Sequence, residues 1–238
     1  AGKRKSCVSK FQTAYIDALK SYYEKSVKPE RVYELFLNTK VIRDIFLDFV
    51  EAISETESEY AEILAEIFET MYNQLTCVKT FETYTNVASE YDLDVFKNLI
   101  WELFICVIAF MRHIKDYLAI DEMLTHTYFL ETSIFGGSVK PNNYTAFRYY
   151  SRVIEESYKL GSDMKTKFTL RGDVICNQRE KLPIYTSEAI AEADLFLYQV
   201  RNAYNLVEDE NSWRETYWFP TFYVYVKSEP VEWQKMKS

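Results

Sequence analysis

Basic side chains are concentrated between positions 148 and 171 of an otherwise acidic sequence. Arg148 and Arg152 are four residues apart, so they share one face of a predicted helix, and tyrosines lie between them. Guanidinium groups beside aromatic rings can hold a phosphate or stack on a base. The pattern makes this stretch a candidate anion site, whereas the preferred interpretation is ion pairing with the surplus carboxylates between Glu51 and Glu69. The candidate anion-binding residues are Arg148, Arg152, Lys165 and Arg171.

The two histidines, His113 and His126, are the next residues that could carry chemistry. Glu122 precedes His126 by four residues, but one His–carboxylate pair is a weak metal signal. Ferritin-like sites require Glu and His three apart on paired helices, with further inward carboxylates. We therefore predict no metal site and no cofactor, and we expect each histidine to bond a carboxylate or a helix-end carbonyl.

Catalytic signatures are weak. Neither histidine follows an arginine at the spacing of HEPN-type ribonucleases, and Asp163-Met164-Lys165 fits a restriction-nuclease tripeptide only after a predicted helix stop at Gly161. The sequence contains no Walker loop, GxGxxG motif or GxSxG elbow. Gly136 and Gly137, with Lys140 nearby, could present amides to an anion, but a tight turn is the preferred interpretation. Catalytic residues stay unassigned.

An aromatic segment lies near the C-terminus. Half of residues 212–225 are aromatic, against 17% of the whole chain. Such a segment is either a buried strand or a surface covered by a partner, and tyrosine suits interfaces because it is large and rigid with a polar tip. We therefore predict a protein partner or a homo-oligomer. The candidate interface residues are Trp213, Tyr217, Trp218, Phe219, Tyr223 and Tyr225.

Helical periodicity dominates the elements that would position these residues. Apolar spacing predicts six helices. The first covers 6–25, the second begins at Pro29 and bends at Asn38-Thr39, and the third begins after a capping box at 54–57. The fourth runs from Asp92 or Asp94 to about 116, the fifth from 141–143 to 161, and the sixth begins at 186–187. Strand composition appears at 126–130 and at 221–226, where alternation places Phe222, Val224 and Val226 on one face. The predicted fold is mainly α, a bundle of about six helices with a small C-terminal β element.

The run Leu99–Met111 predicts a central helix. It is interrupted by Glu102 and ends at Arg112, so it is too short for a bilayer, which requires roughly 20 apolar residues. Apolar residues lie on every face of this predicted helix, which is typical of a helix in the middle of a bundle. We expect Ile105 to Phe110 to be the most buried stretch.

Composition limits the class of protein. With 238 residues and 48% hydrophobic content, one domain is predicted over 1–238, with 118–144 as the plausible boundary if there are two. The net charge of −8 disfavours nucleic acid or an anionic membrane as a partner for the whole surface. Four cysteines without a CxxC pair indicate a reduced, cytoplasmic protein.

The predicted function is a non-catalytic helical interaction or regulatory module, one part of a larger protein or complex. The alternative is a nucleotide- or nucleic-acid-acting protein that uses residues 148–171.

Overall fold

A computed structural model describes residues 2–81, 90–133, 136–149, 178–208 and 220–227, with residues 151, 154, 172, 174 and 175. These residues form helices joined by short turns, and one β-hairpin, so the predicted mainly α fold with a small β element is confirmed. The elements are α1 Gly2–Lys20, α2 Pro29–Asn38, α3 Lys40–Thr56, α4 Tyr60–Leu75, α5 Asp94–His113, α6 Tyr117–Thr125, β1 Tyr128–Glu131, β2 Val139–Asn142, α7 Ser187–Glu208 and α8 Thr221–Lys227.

Helix α5 lies at the centre of the fold, in contact with α2, α3, α4, α6 and α7. Ile105 to Phe110 are between 0 and 3% exposed, which confirms the predicted buried stretch. Burial on all sides follows from the apolar residues that surround this helix. Within the part of the chain that is described, no helix has both the length and the apolar content to cross a bilayer.

The chain between α2 and α4 differs in part from prediction. The expected bend at Asn38-Thr39 is present, because α2 ends at Asn38 and α3 begins at Lys40. The capping box at 54–57 is wrong. Ser54 lies in the last turn of α3, and its hydroxyl donates to the carbonyl of Glu51 at 2.7 Å. Helix α3 continues to Thr56 because Ile53 still packs into the core, and α4 then begins at Tyr60.

The side chains of Asp92 and Asp94 do not cap α5, so that prediction is wrong. Leu93 precedes the helix, and no side chain caps it. Asp92 instead accepts a hydrogen bond from the Val27 amide at 3.0 Å, and Asp94 accepts one from the Ser151 hydroxyl at 2.7 Å. Both carboxylates therefore tie distant segments to the start of the central helix.

The hairpin confirms the strand composition at 126–130. Strands β1 and β2 are antiparallel, with Tyr128 opposite Asn142 and Glu131 opposite Val139. Gly136, in the connecting turn, has a φ of 76°, a left-handed conformation that favours glycine. Helix α4 contacts the other edge of β1. Glu69 accepts from the Phe129 amide at 2.7 Å, and Asn73 accepts from the Glu131 amide at 2.8 Å while donating to the Phe129 carbonyl at 2.9 Å.

The predicted helix start at 141–143 is wrong. Pro141 belongs to β2, and Asn143 accepts from the Thr145 amide at 3.0 Å to begin a single 3-10 turn, Tyr144–Phe147. Arg148 then has extended backbone, with φ −60° and ψ 128°. Burial of Tyr144 and Phe147 favours the tight turn over a longer helix, and most of residues 150–177 lie outside the described part.

The C-terminal segment is helical where a strand was predicted. Thr221–Lys227 form α8, so the alternation of Phe222, Val224 and Val226 was misinterpreted, and the β element lies at 128–142. Asp194 of α7 accepts from the Phe222 amide at 2.9 Å at the start of α8. Phe222 and Val226, four residues apart, face the core, so packing against α7 overrides strand propensity. The predicted cap of the preceding helix is confirmed, since Thr186 accepts from the Ala189 amide at 3.1 Å.

Candidate functional site

Three charged side chains lie in the core of the protein. Arg43 of α3, Glu102 of α5 and Arg179 have side-chain exposures of 0, 0 and 1%. Arg43 Nη1 donates to Glu102 Oε1 at 3.0 Å, and Arg179 donates to the two Glu102 oxygens from Nε at 2.7 Å and Nη2 at 2.8 Å. We call this group the buried ionic cluster. It links two helices and the segment before α7.

Arg179 also contacts the end of α2. Its Nη1 donates to the Phe36 carbonyl at 2.7 Å, and its Nη2 donates to the Thr39 hydroxyl at 3.1 Å. The guanidinium lies over the Phe36 ring, 4.5 Å from the ring centre. The last carbonyls of a helix need such donors because no later turn supplies them. Arg179 therefore stabilises the break between α2 and α3 as well as the charge of Glu102.

The electrostatics of the cluster favour a permanently charged carboxylate. Burial alone would raise the pKa of Glu102, but the positive charges and hydrogen bonds of Arg179 and Arg43 outweigh it and lower that pKa. Burial raises the pKa of the neighbouring Cys106 thiol to about 12. At neutral pH the carboxylate is ionised and engaged by both arginines, while the thiol stays protonated and closed to solvent. This arrangement holds segments together rather than presenting a base or a nucleophile.

The predicted anion-binding residues are only partly within the described structure. Arg148 is half-buried beyond the 3-10 turn, whereas Arg152, Lys165 and Arg171 lie outside the described residues. Burial lowers the pKa of Arg148, and the positive charge of Arg201 on α7 lowers it further, while Asp194 opposes the shift. The charge of Arg201, a residue that the sequence did not single out, therefore acts on Arg148.

The predicted interface residues also fall mostly outside the described part, which excludes Trp213, Tyr217, Trp218 and Phe219. Tyr223 lies in α8 and packs half-buried against the core. Tyr225 belongs to the same helix, and its side chain is not among those described.

The two histidines lie on either side of α6 along the chain. His113 is exposed at the end of α5. His126 follows α6, half-buried, with its ring centre 4.7 Å from that of Tyr128. Among the described residues, no group of three or more His, Cys, Asp or Glu side chains is arranged to hold a metal ion.

Large apolar side chains on the described surface occur in groups. Val41, Leu118 and Leu182 are the most exposed, at 70, 84 and 73%. Val41 and Ile45 share one side of α3, Ile114, Tyr117 and Leu118 lie at the α5–α6 turn, and Phe129 and Val139 lie on the hairpin, while Tyr91 and Leu182 are exposed elsewhere. Single exposed apolar residues are ordinary, whereas groups of them mark contact surfaces.

Sequence reasoning missed the buried ionic cluster, although two signals were available. Glu102 interrupts a helix that is otherwise apolar on all sides, and a carboxylate there requires a cationic partner. Arg43 lies between Ile42 and Phe46, which were predicted to face inward. Arg179 lies 77 residues from Glu102, and nothing in its local sequence indicates burial.

The search for relatives gave a negative result. Comparison of the chain with protein-family models, with curated proteins and with solved structures found no match. The function of the protein therefore has to be inferred from its own residues.

Proposed function

We propose that the protein is a non-catalytic helical module that works by binding another protein, as one part of a larger assembly. The observation that carries the proposal is the grouping of exposed apolar side chains on the described surface. Leaving such groups in water is unfavourable, so they are rarely bare in proteins that act alone. A partner that covers one of them gains the free energy of apolar burial.

The use of ionisable side chains inside the fold supports the same proposal. Glu102 accepts hydrogen bonds from two arginines, and its low pKa makes it a poor proton acceptor at neutral pH. Asp94 is occupied with Ser151, and Asp194 with the start of α8. These buried carboxylates serve the architecture, which is the pattern of a scaffold.

The test is site-specific photo-crosslinking in the cells that make the protein. A photoreactive amino acid is placed in turn at Val41, Leu118 and Phe129, one position in each apolar group. The matched controls are Glu62 and Asp121, which are exposed and polar. We expect a discrete protein adduct from at least one apolar group and none from the controls. Absence of adducts at all three apolar positions, or equal yields at the controls, would contradict the proposal.

Residues 213–225 stay a second contact surface within this proposal, and a second copy of the chain is one partner that they could bind. A crosslinker at Tyr223 tests the part that is described.

The proposed location is the cytoplasm, which the free thiols of Cys7, Cys77 and Cys106 support, because reducing compartments keep cysteines unpaired.

The second candidate function is binding of a nucleotide or nucleic acid around Arg148. The observations that favour it are the basic residues between Arg148 and Arg171 in the sequence and the effect of the Arg201 charge on the pKa of Arg148, which Asp194 opposes. Two arginines can share the oxygens of one phosphate.

This alternative is tested with the purified protein, ATP and a fluorescent single-stranded oligonucleotide. If it is correct, affinity falls steeply with salt. The double variant Arg148→Glu with Arg152→Glu should then abolish binding with little change in melting temperature. No binding at low salt excludes it.

A further inference from the structure

The outer face of α3 has the spacing of a helix-pairing surface. Its exposed residues follow one another at intervals of four and three, the repeat by which two helices align along their length. Val41 is 70% exposed and Ile45 is 49% exposed, so the apolar end of this face is largely open. We call it the α3 outer face, and its residues are Val41, Ile45, Asp48, Ala52 and Glu55.

We propose that the α3 outer face binds a basic amphipathic helix of a different protein. This inference rests on the function proposed above, because it specifies the partner of one of the apolar groups. Val41, Ile45 and Ala52 receive apolar side chains of that helix. Asp48 and Glu55 receive its lysine or arginine side chains.

Charge supports a basic partner. Carboxylates follow this side of α3 at Asp44, Asp48, Glu51 and Glu55. The amine of Lys40 bonds Asp44 at 2.6 Å, and the amine of Lys181 lies 2.5 Å from Asp48 and 3.2 Å from Glu51. Arg43 also bonds Asp44, so four carboxylates face three cationic groups, and the exposed carboxylates of Asp48 and Glu55 lie on the outer face itself. Complementary charge on a partner is therefore positive.

The same charges disfavour a second copy of this chain. In an antiparallel pair of α3 helices centred on Asp48, that carboxylate would face its own copy. In a parallel pair, Asp48 and Glu55 would each face their own copies. Like charges placed opposite one another are destabilising, so self-pairing opposes the charge pattern that a basic helix satisfies.

A neighbouring turn extends the apolar surface. Lys181 and Tyr185 bond each other through their backbones, and the Lys181 side chain ties this turn to α3. Leu182, the next residue, is 73% exposed beside the face. The turn therefore lies beside the Asp48–Glu51 part of α3, where Leu182 adds exposed apolar surface.

The probe for this surface is a designed helical peptide of about three heptads. It carries leucine opposite Val41, Ile45 and Ala52, and lysine opposite Asp48 and Glu55. A matched peptide carries glutamate in place of those lysines. Binding to the full chain is measured by fluorescence anisotropy, and we expect the lysine peptide to bind about tenfold more tightly than the glutamate peptide.

Two pairs of variants separate the apolar and charged contributions. The double variant Val41→Glu with Ile45→Glu should weaken the lysine peptide about tenfold or more, since both apolar contacts are lost. Its control adds the same two charges on exposed positions of α1, Ser9→Glu with Thr13→Glu, and should leave binding within about twofold.

The charge variant is Asp48→Asn with Glu55→Gln. It should reduce the preference for the lysine peptide to about threefold or less. Its control is Glu62→Gln with Glu66→Gln on the exposed side of α4, which should keep the preference.

Each other outcome overturns the inference in a distinguishable way. Equal binding of both peptides, or none, rejects the basic helix; adducts at Leu118 or Phe129 would then keep the general function. A dimer in sedimentation that Val41→Glu with Ile45→Glu dissolves assigns the face to a second copy. A fall of more than a few degrees in the melting temperature of that variant would show that Val41 and Ile45 stabilise the fold of this chain and are not a free docking surface.

Discussion

Glu102 shows how a charged side chain is accommodated in a central helix. Its carboxylate is fully buried, yet hydrogen bonds from Arg43 and Arg179 occupy both of its oxygens. Such a cluster is not required for high stability, because well-packed apolar residues often stabilise a core equally well. Removing Glu102 is a different matter, since Arg179 then stays buried without a counter-charge and Arg43 keeps only Asp44.

We predict that Glu102→Ala lowers the free energy of unfolding by about 3–5 kcal/mol, because Arg179 and Arg43 lose their common counter-charge in the core. Urea denaturation measures the difference. Glu66→Ala, on the exposed side of α4, is the control and should stay within about 0.5 kcal/mol of the wild type. A loss below about 1 kcal/mol for Glu102→Ala would mean that the cluster is not closed to water.

The lowered pKa of Glu102 predicts how stability changes with pH. Its folded pKa lies below the unfolded value of about 4.3, so the carboxylate contributes stability above that pH and loses it as pH falls through the folded pKa. The wild type should therefore lose unfolding free energy below about pH 5, and Glu102→Gln should show a flatter profile there. Urea midpoints across pH check this. The control Glu66→Gln should parallel the wild type, and a parallel profile for Glu102→Gln would contradict the prediction.

At the scale of elements, sequence patterns predicted some features and failed at others for a physical reason. The central helix follows from an apolar run that is readable along the chain, and Thr186 caps α7 with its own hydroxyl. Helix α8 has the aromatic and β-branched composition of a strand, but Asp194, on another helix, accepts a hydrogen bond from the amide of Phe222 in its first turn. Contacts with residues distant in sequence determine the helical conformation of α8 and the buried position of Arg179. Such contacts cannot be predicted from the local sequence.

We predict that Leu103→Ala, in the middle of α5, lowers the free energy of unfolding by about 2–5 kcal/mol, because the surrounding helices cannot close the cavity. Thermal or urea unfolding measures it. Leu118→Ala is the matched control, since Leu118 is 84% exposed and its truncation should change stability by about 0.5 kcal/mol or less. Equal losses for the two variants would contradict the central position of α5.

At the scale of the whole molecule, the described cysteines differ in their exposure to solvent. Cys7 is exposed on α1, whereas Cys77 and Cys106 are buried. We predict that a thiol reagent labels Cys7 rapidly in the native protein, and Cys77 and Cys106 only after unfolding, because the reagent cannot reach a buried thiol. Peptide mass spectrometry reports each site. The control Cys7→Ser should remove the rapid label, and equally rapid labelling of Cys106 would contradict the packing around α5.

The hairpin has a consequence for aggregation. Since the β1 amides of Phe129 and Glu131 are bonded to α4, its outer edge is closed to a strand from another molecule. In the same register, the backbone groups of Val139 and Pro141 in β2 point away from β1, and proline has no N–H to donate. The β1 edge is therefore covered, and the β2 edge offers a single outward N–H, that of Val139, so the hairpin is a poor template for cross-β growth. Within the described residues, the hairpin can therefore expose Phe129 and Val139 to a partner while offering little backbone to a fibril.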